Sequence, residues 1–369
     1  MSLVTFLGIY FVRRAGIDVG TVGVAFLVES LLRGAAAPMF GALSDRIGRR
    51  ALLIAAALVT AVVLPSFLLV SGPASLFAWS VAMGLAGAIN MPVATALLLD
   101  LAPPERRHSV LAANYTAMSV AYTLGVSPAG YVAEQSYTVL AAIASAGYLV
   151  VALLYTLLFR APPALERNEA GVLRETVAAF RDRAFLLFAA LAFVFPLSMG
   201  LVVTASPLYG ADVGLGEGYI GLVLGGNSLI VAALAVPLAA RIEPLGPFRL
   251  LGAAAFVVAC GIACYALVPG AAAGYLAGTV VFSFGELVFS SAVPAAVARL
   301  APAGRRGAYQ GGWTLVASFS MGSALFVSGL LRDEVGWRAA WLAFAALIAG
   351  AALLLFLLRE KFLQRPGER

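Results

Sequence analysis

An ionisable side chain in the middle of a long apolar run is the group most able to do chemistry, because it persists there only beside a partner or a water-filled cavity. Three such groups stand out in this chain of 369 residues. Glu286 follows Phe282-Ser-Phe-Gly285, and the next polar break opens after Leu300. At about 1.5 Å per residue it sits roughly 21 Å along a helix from that break, near the middle of a bilayer. Its own run offers no base, and burial favours the neutral acid, so the chemistry expected is uptake and release of a proton. The competing reading is an acid that stays protonated and merely hydrogen-bonds a neighbouring helix. Glu29 and Arg33 stand one helical turn apart on one face and can pair locally. That pair is either a packing tie between helices or part of a coupling network, and a buried pair is weak evidence of stabilisation. Glu286, Glu29 and Arg33 form the proton-coupling set. For a small-molecule substrate the candidates are the polar and aromatic mid-run residues: Asn90; Asn114, Tyr115, Met118 and Tyr122; Asn227; and Gln310 with Trp313. Residues 115, 118 and 122 share one helical face. Aromatic and methionine surfaces suit amphipathic or cationic organic molecules, although ordinary helix packing uses the same residue types.

Other chemistries lack their parts. There is one histidine, His108, so neither a zinc site nor a Ser-His hydrolase has a foundation. Cys260 and Cys264 lie in one apolar run and read as small core hydrophobes. No G-x-x-x-x-G-K-[ST] loop is present, so the chain is not expected to burn ATP. Neither catalytic residues, a metal nor a cofactor is expected; the energy source is a proton gradient.

The elements that position these residues follow from composition. The chain is 62% hydrophobic and 11% charged, with mean hydropathy +0.98, whereas about a quarter of the residues of a soluble domain are charged. This predicts an all-α, multi-pass membrane protein whose main partner is the lipid bilayer. Eleven full spans are expected at Val22–Ala42, Ala51–Val70, Leu76–Leu99, Val110–Val132, Val139–Phe159, Phe185–Tyr209, Tyr219–Ala239, Phe248–Val268, Ala272–Ala298, Ala308–Leu331 and Trp337–Leu358. The first run, Met1 to Val12, is too short to span. It reads as the outer half of a helix 1 truncated at its N-terminus. Arg160 to Arg183 is the longest polar break; Val172, Leu173, Thr176, Val177 and Phe180 share a face, which predicts an amphipathic helix on the inner membrane surface. The chain thus divides into a six-helix bundle over 1–159, a linker over 160–183 and a second bundle over 184–369. Leu101-Ala-Pro-Pro-Glu-Arg106-Arg107 recurs as Leu300-Ala-Pro-Ala-Gly-Arg305-Arg306, and the same offset carries Gly130 onto Gly329, so the halves are an internal duplication.

Between the second and third helices lies a charged knot, Gly41-Ala-Leu-Ser-Asp45-Arg46-Ile-Gly48-Arg49-Arg50. Its charges are too costly for hydrocarbon, so it is expected to be a tight turn outside the lipid. Gly41 and Gly48 would permit close helix approach and a bend, and Asp45 could cap backbone N–H groups. Of the 24 Lys and Arg residues, 19 fall on the Asp45 side or in the C-terminal tail, four (Arg13, Arg14, Arg332, Arg338) fall on the other side, and Arg33 lies within a span. Short cytoplasmic loops are enriched in these residues, so the knot and the C-terminus are expected in the cytoplasm. Because the arginines are dispersed, the net charge of +6 reports topology, and no nucleic-acid partner is expected.

The order G-x-L-x-D-R-x-G-R-R resembles the signature loop between helices 2 and 3 of the major facilitator superfamily. The resemblance implies two pseudo-symmetric six-helix bundles rocking about a midplane site. It also implies that Asp45, with Gly41, Arg46, Gly48, Arg49 and Arg50, forms a latch that docks on the start of helix 11 near Arg305 to Gly307. Gly125-Val-Ser127-Pro128-Ala-Gly130 looks like a partial copy of the exporter motif of helix 5: Ala121 stands where glycine is usual, and Ser127 interrupts the Gly-Pro pair. The arginine that proton antiporters often carry in helix 4 would fall at Ser80. That departure moves the burden of proton coupling to Glu286, whereas the helix 5 motif and Phe284-Gly285-Glu286, followed by Leu300-Ala-Pro-x-x-Arg305-Arg306-Gly307, resemble the drug:proton antiporter branch. The function implied is export of small amphipathic or hydrophobic molecules in exchange for protons, by a monomer in the inner or plasma membrane. A nutrient symporter or uniporter of the same fold, or a non-transporting accessory or sensing protein, stays open.

Overall fold

The computed structural model describes residues 3–103, 106–159, 179–242, 245–302 and 305–363, without the side chains of some helix residues, Asp45 and Tyr115 among them. Helix α1 is Val4–Ile9 and runs into a π-helical turn, Tyr10–Arg14. It is followed by α2 (Val19–Ile47), α3 (Arg49–Val63, extended by a 3-10 turn Pro65–Leu69), α4 (Pro73–Leu101), α5 (Arg107–Gln135) and α6 (Tyr137–Leu158). In the second half α7 (Arg183–Asp212) is assembled from Arg183–Ala192, Val194–Gly200, a π-helical stretch Leu201–Ala205 and Ser206–Asp212. Then come α8 (Glu217–Ile242), α9 (Pro247–Leu267) and α10 (Ala271–Leu300). The segment Arg306–Leu363 is broken at non-helical Gly336 into α11 (306–335) and α12 (337–363).

Among the described residues nine segments are long and apolar enough to cross a membrane, with α11 and α12 counted together. Separating those two and adding the more polar α5 gives eleven, and short α1 is the twelfth helix. Large apolar side chains face outward where lipid would lie: Val62 on α3, Leu157 on α6, Phe256 on α9 and Leu357 on α12 are all more than half exposed. The expected interfacial helix of the linker falls mostly on residues 160–178, outside the described part.

One expectation is corrected. The knot is not a ten-residue turn: α2 stays helical through Asp45 to Ile47, α3 starts at Arg49, and Gly48 alone makes the bend, at φ 92°. Glycine reaches that conformation without the steric cost a Cβ imposes. Helix continues through the knot because charged side chains beyond the apolar core can point into water, while Arg46 in the last turn suits the negative end of the helix dipole. Among the described residues Gly41 makes no close contact; none of their atoms lies within 4 Å of where its Cβ would stand.

The two halves meet along two seams, α2 against α11 and α5 against α8. At the first, a Cβ on Gly23 would fall 2.3 Å from Phe326 Cα, and one on Gly322 would fall 2.6 Å from Ser30 Cβ. At the second, a Cβ on Gly130 would fall 2.3 Å from the Glu217 carbonyl oxygen. Only glycine lets these backbones touch, which is how helices pack closely where no hydrophobic force drives them together. The seams repeat each other: Gly130 abuts Glu217 as its duplicate Gly329 abuts Val19.

Candidate functional site

Both seams run from the end of the molecule opposite the knot, here the far end, to about mid-depth. On the α2–α11 seam the close approaches go from Val19–Gly329 to Gly34–Ser318, where Ser30 Oγ also donates to the Ser318 carbonyl at 2.7 Å. On the α5–α8 seam they go from Glu134–Gly218 to Thr123–Gly225. The halves are therefore closed at the far end, and no such closure is seen toward the knot among the described residues.

Ionic contacts reinforce the closure. Arg13, at the end of α1, donates to Asp212 Oδ1 at 3.3 Å and to the Ala211 carbonyl, both at the end of α7 in the other half. Asp212 also receives Arg332 at 2.9 Å and Trp337 Nε1 at 2.9 Å from its own half. On α5, Glu134 Oε2 accepts the Gly218 backbone N–H at 3.1 Å. That places an anion at the start of α8, where unsatisfied N–H groups favour it. None of these residues was a sequence candidate. The signal that could have found the first pair is the duplication itself, since Arg13 and Asp212 are 199 positions apart, the spacing that relates the two halves.

Below the closure, at mid-depth, sits Glu286. It is 7% exposed, and its Oε2 accepts a hydrogen bond from Asn227 Nδ2 of α8 at 2.9 Å. The same Asn227 nitrogen donates to Ser283 Oγ at 2.8 Å, and Ser283 donates onward to the Thr279 carbonyl at 2.8 Å. No ion pair to Glu286 is formed among the described residues. From the opposite half, the Tyr122 hydroxyl is close enough to interact electrostatically with Glu286, and it shares a 3.1 Å hydrogen bond with Thr5 Oγ1 of α1. The acid thus lies where α1, α5, α8 and α10 converge.

The other predicted residues disperse. Glu29 and Arg33 are paired, as their spacing implies, against Gly84 and Gly87 of α4, within the first half and away from Glu286. Arg33 Nε is buried without a hydrogen-bond partner. Asn114 Nδ2 reaches Met118 Sδ at 3.7 Å on α5, whereas the Tyr115 side chain lies outside the described part. Asn90 is half-buried on α4. Gln310 Nε2 donates to the Pro294 carbonyl at 3.0 Å, which ties α11 to α10, and Trp313 packs on Phe188 at 6.0 Å between ring centroids. In the helix 5 motif Gly130 and Ser127 lie on the seam, Ser127 Oγ donating to the Gly221 carbonyl at 3.3 Å, while Gly125 and Pro128 border an apolar cavity of about 570 Å³. At the knot, Arg49 is 8% exposed and pairs with Asp100 at the end of α4 at 2.9 Å. Arg50 donates to the Tyr155 and Thr156 carbonyls of α6 at 3.1 and 2.5 Å, and Arg46 is exposed. The side chains of Asp45 and Arg306, on which the expected docking on α11 depends, lie outside the described part. Cys260 and Cys264 are free thiols; Cys260 is exposed and so is not the core hydrophobe its run suggested. No cluster of His, Cys, Asp and Glu that could hold a metal ion occurs among the described residues.

Comparison with known proteins adds the following. The family model described as Major Facilitator Superfamily matches residues 1–288 and, overlapping them, 191–369. A Na(+), Li(+), K(+)/H(+) antiporter of Planococcus maritimus is 25% identical over 339 residues, covering 82% of this chain and 79% of that protein. Among solved structures, a POT family transporter in complex with a thioalcohol-conjugated peptide superposes with TM-score 0.82 at 14% identity, over 98% of this chain and 93% of that one. The nucleoside transporter NupG gives 0.76 at 13% identity, over 97% and 95%. The human organic anion transporter MFSD10 gives 0.64 at 20%, over 91% and 83%. At these identities the structural likeness establishes the fold alone.

Proposed function

The chain belongs to the Major Facilitator Superfamily, and from that premise we propose that this secondary transporter exports small amphipathic or hydrophobic organic molecules in exchange for protons. It is a transporter and not an enzyme. The observation that carries the proposal is Glu286, a buried acid with one neutral hydrogen-bond partner, at the level where the two halves meet below a closed far end. An acid at membrane depth that is not neutralised by a cation is costly to ionise and so suits a proton carrier. The arginine bias puts the knot and the C-terminus in the cytoplasm, so closure at the far end is the inward-facing arrangement. In that state Glu286 exchanges its proton with the cytoplasm. Rocking of the 1–159 bundle against the 184–369 bundle then exposes it to the other side of the cell membrane, where it reloads. The methionine and aromatic surfaces of Met118 and Tyr122 favour an amphipathic or hydrophobic cargo over a sugar.

A second reading is supported by the relative from Planococcus maritimus: the cargo is a monovalent metal cation. Glu286 and Ser283 would then supply oxygen ligands, which alkali cations require. Proteoliposomes with an imposed pH difference separate the two, an acridine dye reporting collapse of the gradient on addition of ethidium, NaCl or KCl. Collapse by ethidium alone is expected; collapse by the salts alone transfers the assignment to cation antiport. Glu286→Gln is expected to abolish the exchange while ethidium binding persists. Uphill exchange by that variant refutes proton carriage by Glu286.

A further inference from the structure

We propose that Asn227 is the positioning residue for Glu286: it holds one carboxyl oxygen against α8 and leaves the other, Oε1, as the oxygen that exchanges the proton. This rests on the proton-carrier reading and assigns Asn227 a different task from the substrate contact its sequence position suggested.

The argument is a count of hydrogens. An amide nitrogen carries two, and Asn227 Nδ2 has two acceptors in reach, Ser283 Oγ at 2.8 Å and Glu286 Oε2 at 2.9 Å. Ser283 has one hydrogen, and it is committed to the Thr279 carbonyl at 2.8 Å, so toward Asn227 the hydroxyl can only accept. Turning the amide over would point its oxygen at a hydroxyl oxygen whose hydrogen is committed to Thr279 and, when the acid is ionised, at a carboxylate oxygen as well. The orientation is therefore fixed from the backbone carbonyl of Thr279 upward, one link at a time. Both donors are spent on defined partners, and neither is left for cargo.

The consequence for Glu286 is that Oε2 accepts from Asn227 in both protonation states, as a carboxylate oxygen or as the carbonyl of the neutral acid. The proton then resides on Oε1, and release moves it from Oε1 to water in the space between the halves, leaving the carboxylate behind. A carboxyl without this tether would be free to rotate and to present either oxygen. The tether stabilises the charged form more than the neutral one, because a hydrogen bond to an ion is the stronger. Among the described residues few other groups compete around the acid. Tyr122 is the titratable side chain facing it from α5, α9 presents Ala254 and Val258 at the neighbouring Gly285, and α8 presents the neutral Asn227.

Infrared difference spectroscopy of the purified protein tests this without a transported substrate. A protonated-carboxyl C=O band that is present in the wild type and missing in Glu286→Gln reports the acid, and its intensity is followed against pH. For Asn227→Ala we expect the band to shift in frequency and its titration midpoint to move toward alkaline pH by about one pH unit, the scale of one hydrogen bond to a charged group. Asn227→Gln, which retains the donor, should restore part of the wild-type midpoint. Should the alanine variant fail to fold, Asn227→Ser provides the same comparison with a shorter side chain. An unchanged band and midpoint in a folded variant lacking the amide overturn the positioning role. The proton-carrier reading fails separately, when Glu286→Gln still exchanges protons in proteoliposomes.

Discussion

Arg13→Ala should loosen the far end and little else. The Arg13 guanidinium lies 3.3 Å from the Asp212 carboxylate. Two unit charges about 4 Å apart attract by about 4 kcal/mol at an effective dielectric near 20. Here the side chains are 45% and 17% exposed, so water screens much of this, and about 1 kcal/mol is the realistic net worth. The geometry decides how that energy is spent. When the halves part at the far end, the contacts of Arg13 are the part of the Asp212 cluster that crosses the gap; Arg332 and Trp337 belong to the same half as Asp212 and stay with it. The whole of that ~1 kcal/mol therefore biases the open–closed equilibrium, about a fivefold change in population. Asp212 is not left as an orphan charge, so the fold should tolerate the change. Spin labels on exposed Ser71 and Glu334, one in each half near the far end, placed after Cys260 and Cys264 are replaced by alanine, give the distance distribution. The long-distance population should rise about fivefold in Arg13→Ala. Arg332→Ala, by contrast, should lower the melting temperature and leave the ratio alone. If the two substitutions shift the distribution equally, or Arg13→Ala does not shift it at all, the clasp is not what holds this end shut.

Gly130→Ala should act in the same direction by a steric route. Its methyl group would meet the Glu217 carbonyl, which as backbone cannot rotate aside, at a cost of about 1–3 kcal/mol to the closed seam. Gly41→Ala, with no atom in range, should leave the spin-label distances unchanged. Asp18 caps α2 by accepting the Thr21 N–H at 2.8 Å. Hydrogen bonds from the Thr21 side chain and backbone hold its carboxyl below the usual range. A depressed acid stabilises the fold above its unfolded-state value and loses that contribution as pH falls through the folded one. Asp18→Ala should therefore cost about 1 kcal/mol near neutrality, read as a lower melting temperature in detergent, with the difference shrinking as the medium is acidified below the range where free aspartate titrates.

The spans were legible because a bilayer imposes one length and one composition on anything that crosses it, and Glu286 was legible because it violates that composition. Glu29 and Arg33 were legible as a pair because their contact is local: four residues along one helix fix it. The knot misled because polarity was taken for loop. Charge tells where hydrocarbon ends but not where helix ends, and here only Gly48 interrupts the helical hydrogen bonding. Arg13 and Asp212 read as ordinary loop charges, since nothing in either neighbourhood says which distant helix end lies opposite. Asn227 and Ser283 were two polar residues in separate runs; that they share one acid depends on the rotation of α8 against α10, which no local pattern encodes. The glycines of the seams were partly readable through the Gly130–Gly329 repeat, but their partners, Glu217 and Val19, emerge only from the assembled halves.

That Arg13 and Asp212 occupy the same place in two copies of one ancestral unit has an evolutionary consequence. A symmetric pair of unfused, identical chains brings each residue near the axis against its own twin, arginine on arginine or aspartate on aspartate, and such a mouth repels itself. Attraction at this spot requires the copies to differ. Joining them into one polypeptide lets each mutate alone, and the clasp at this transporter's far end is a product of that freedom.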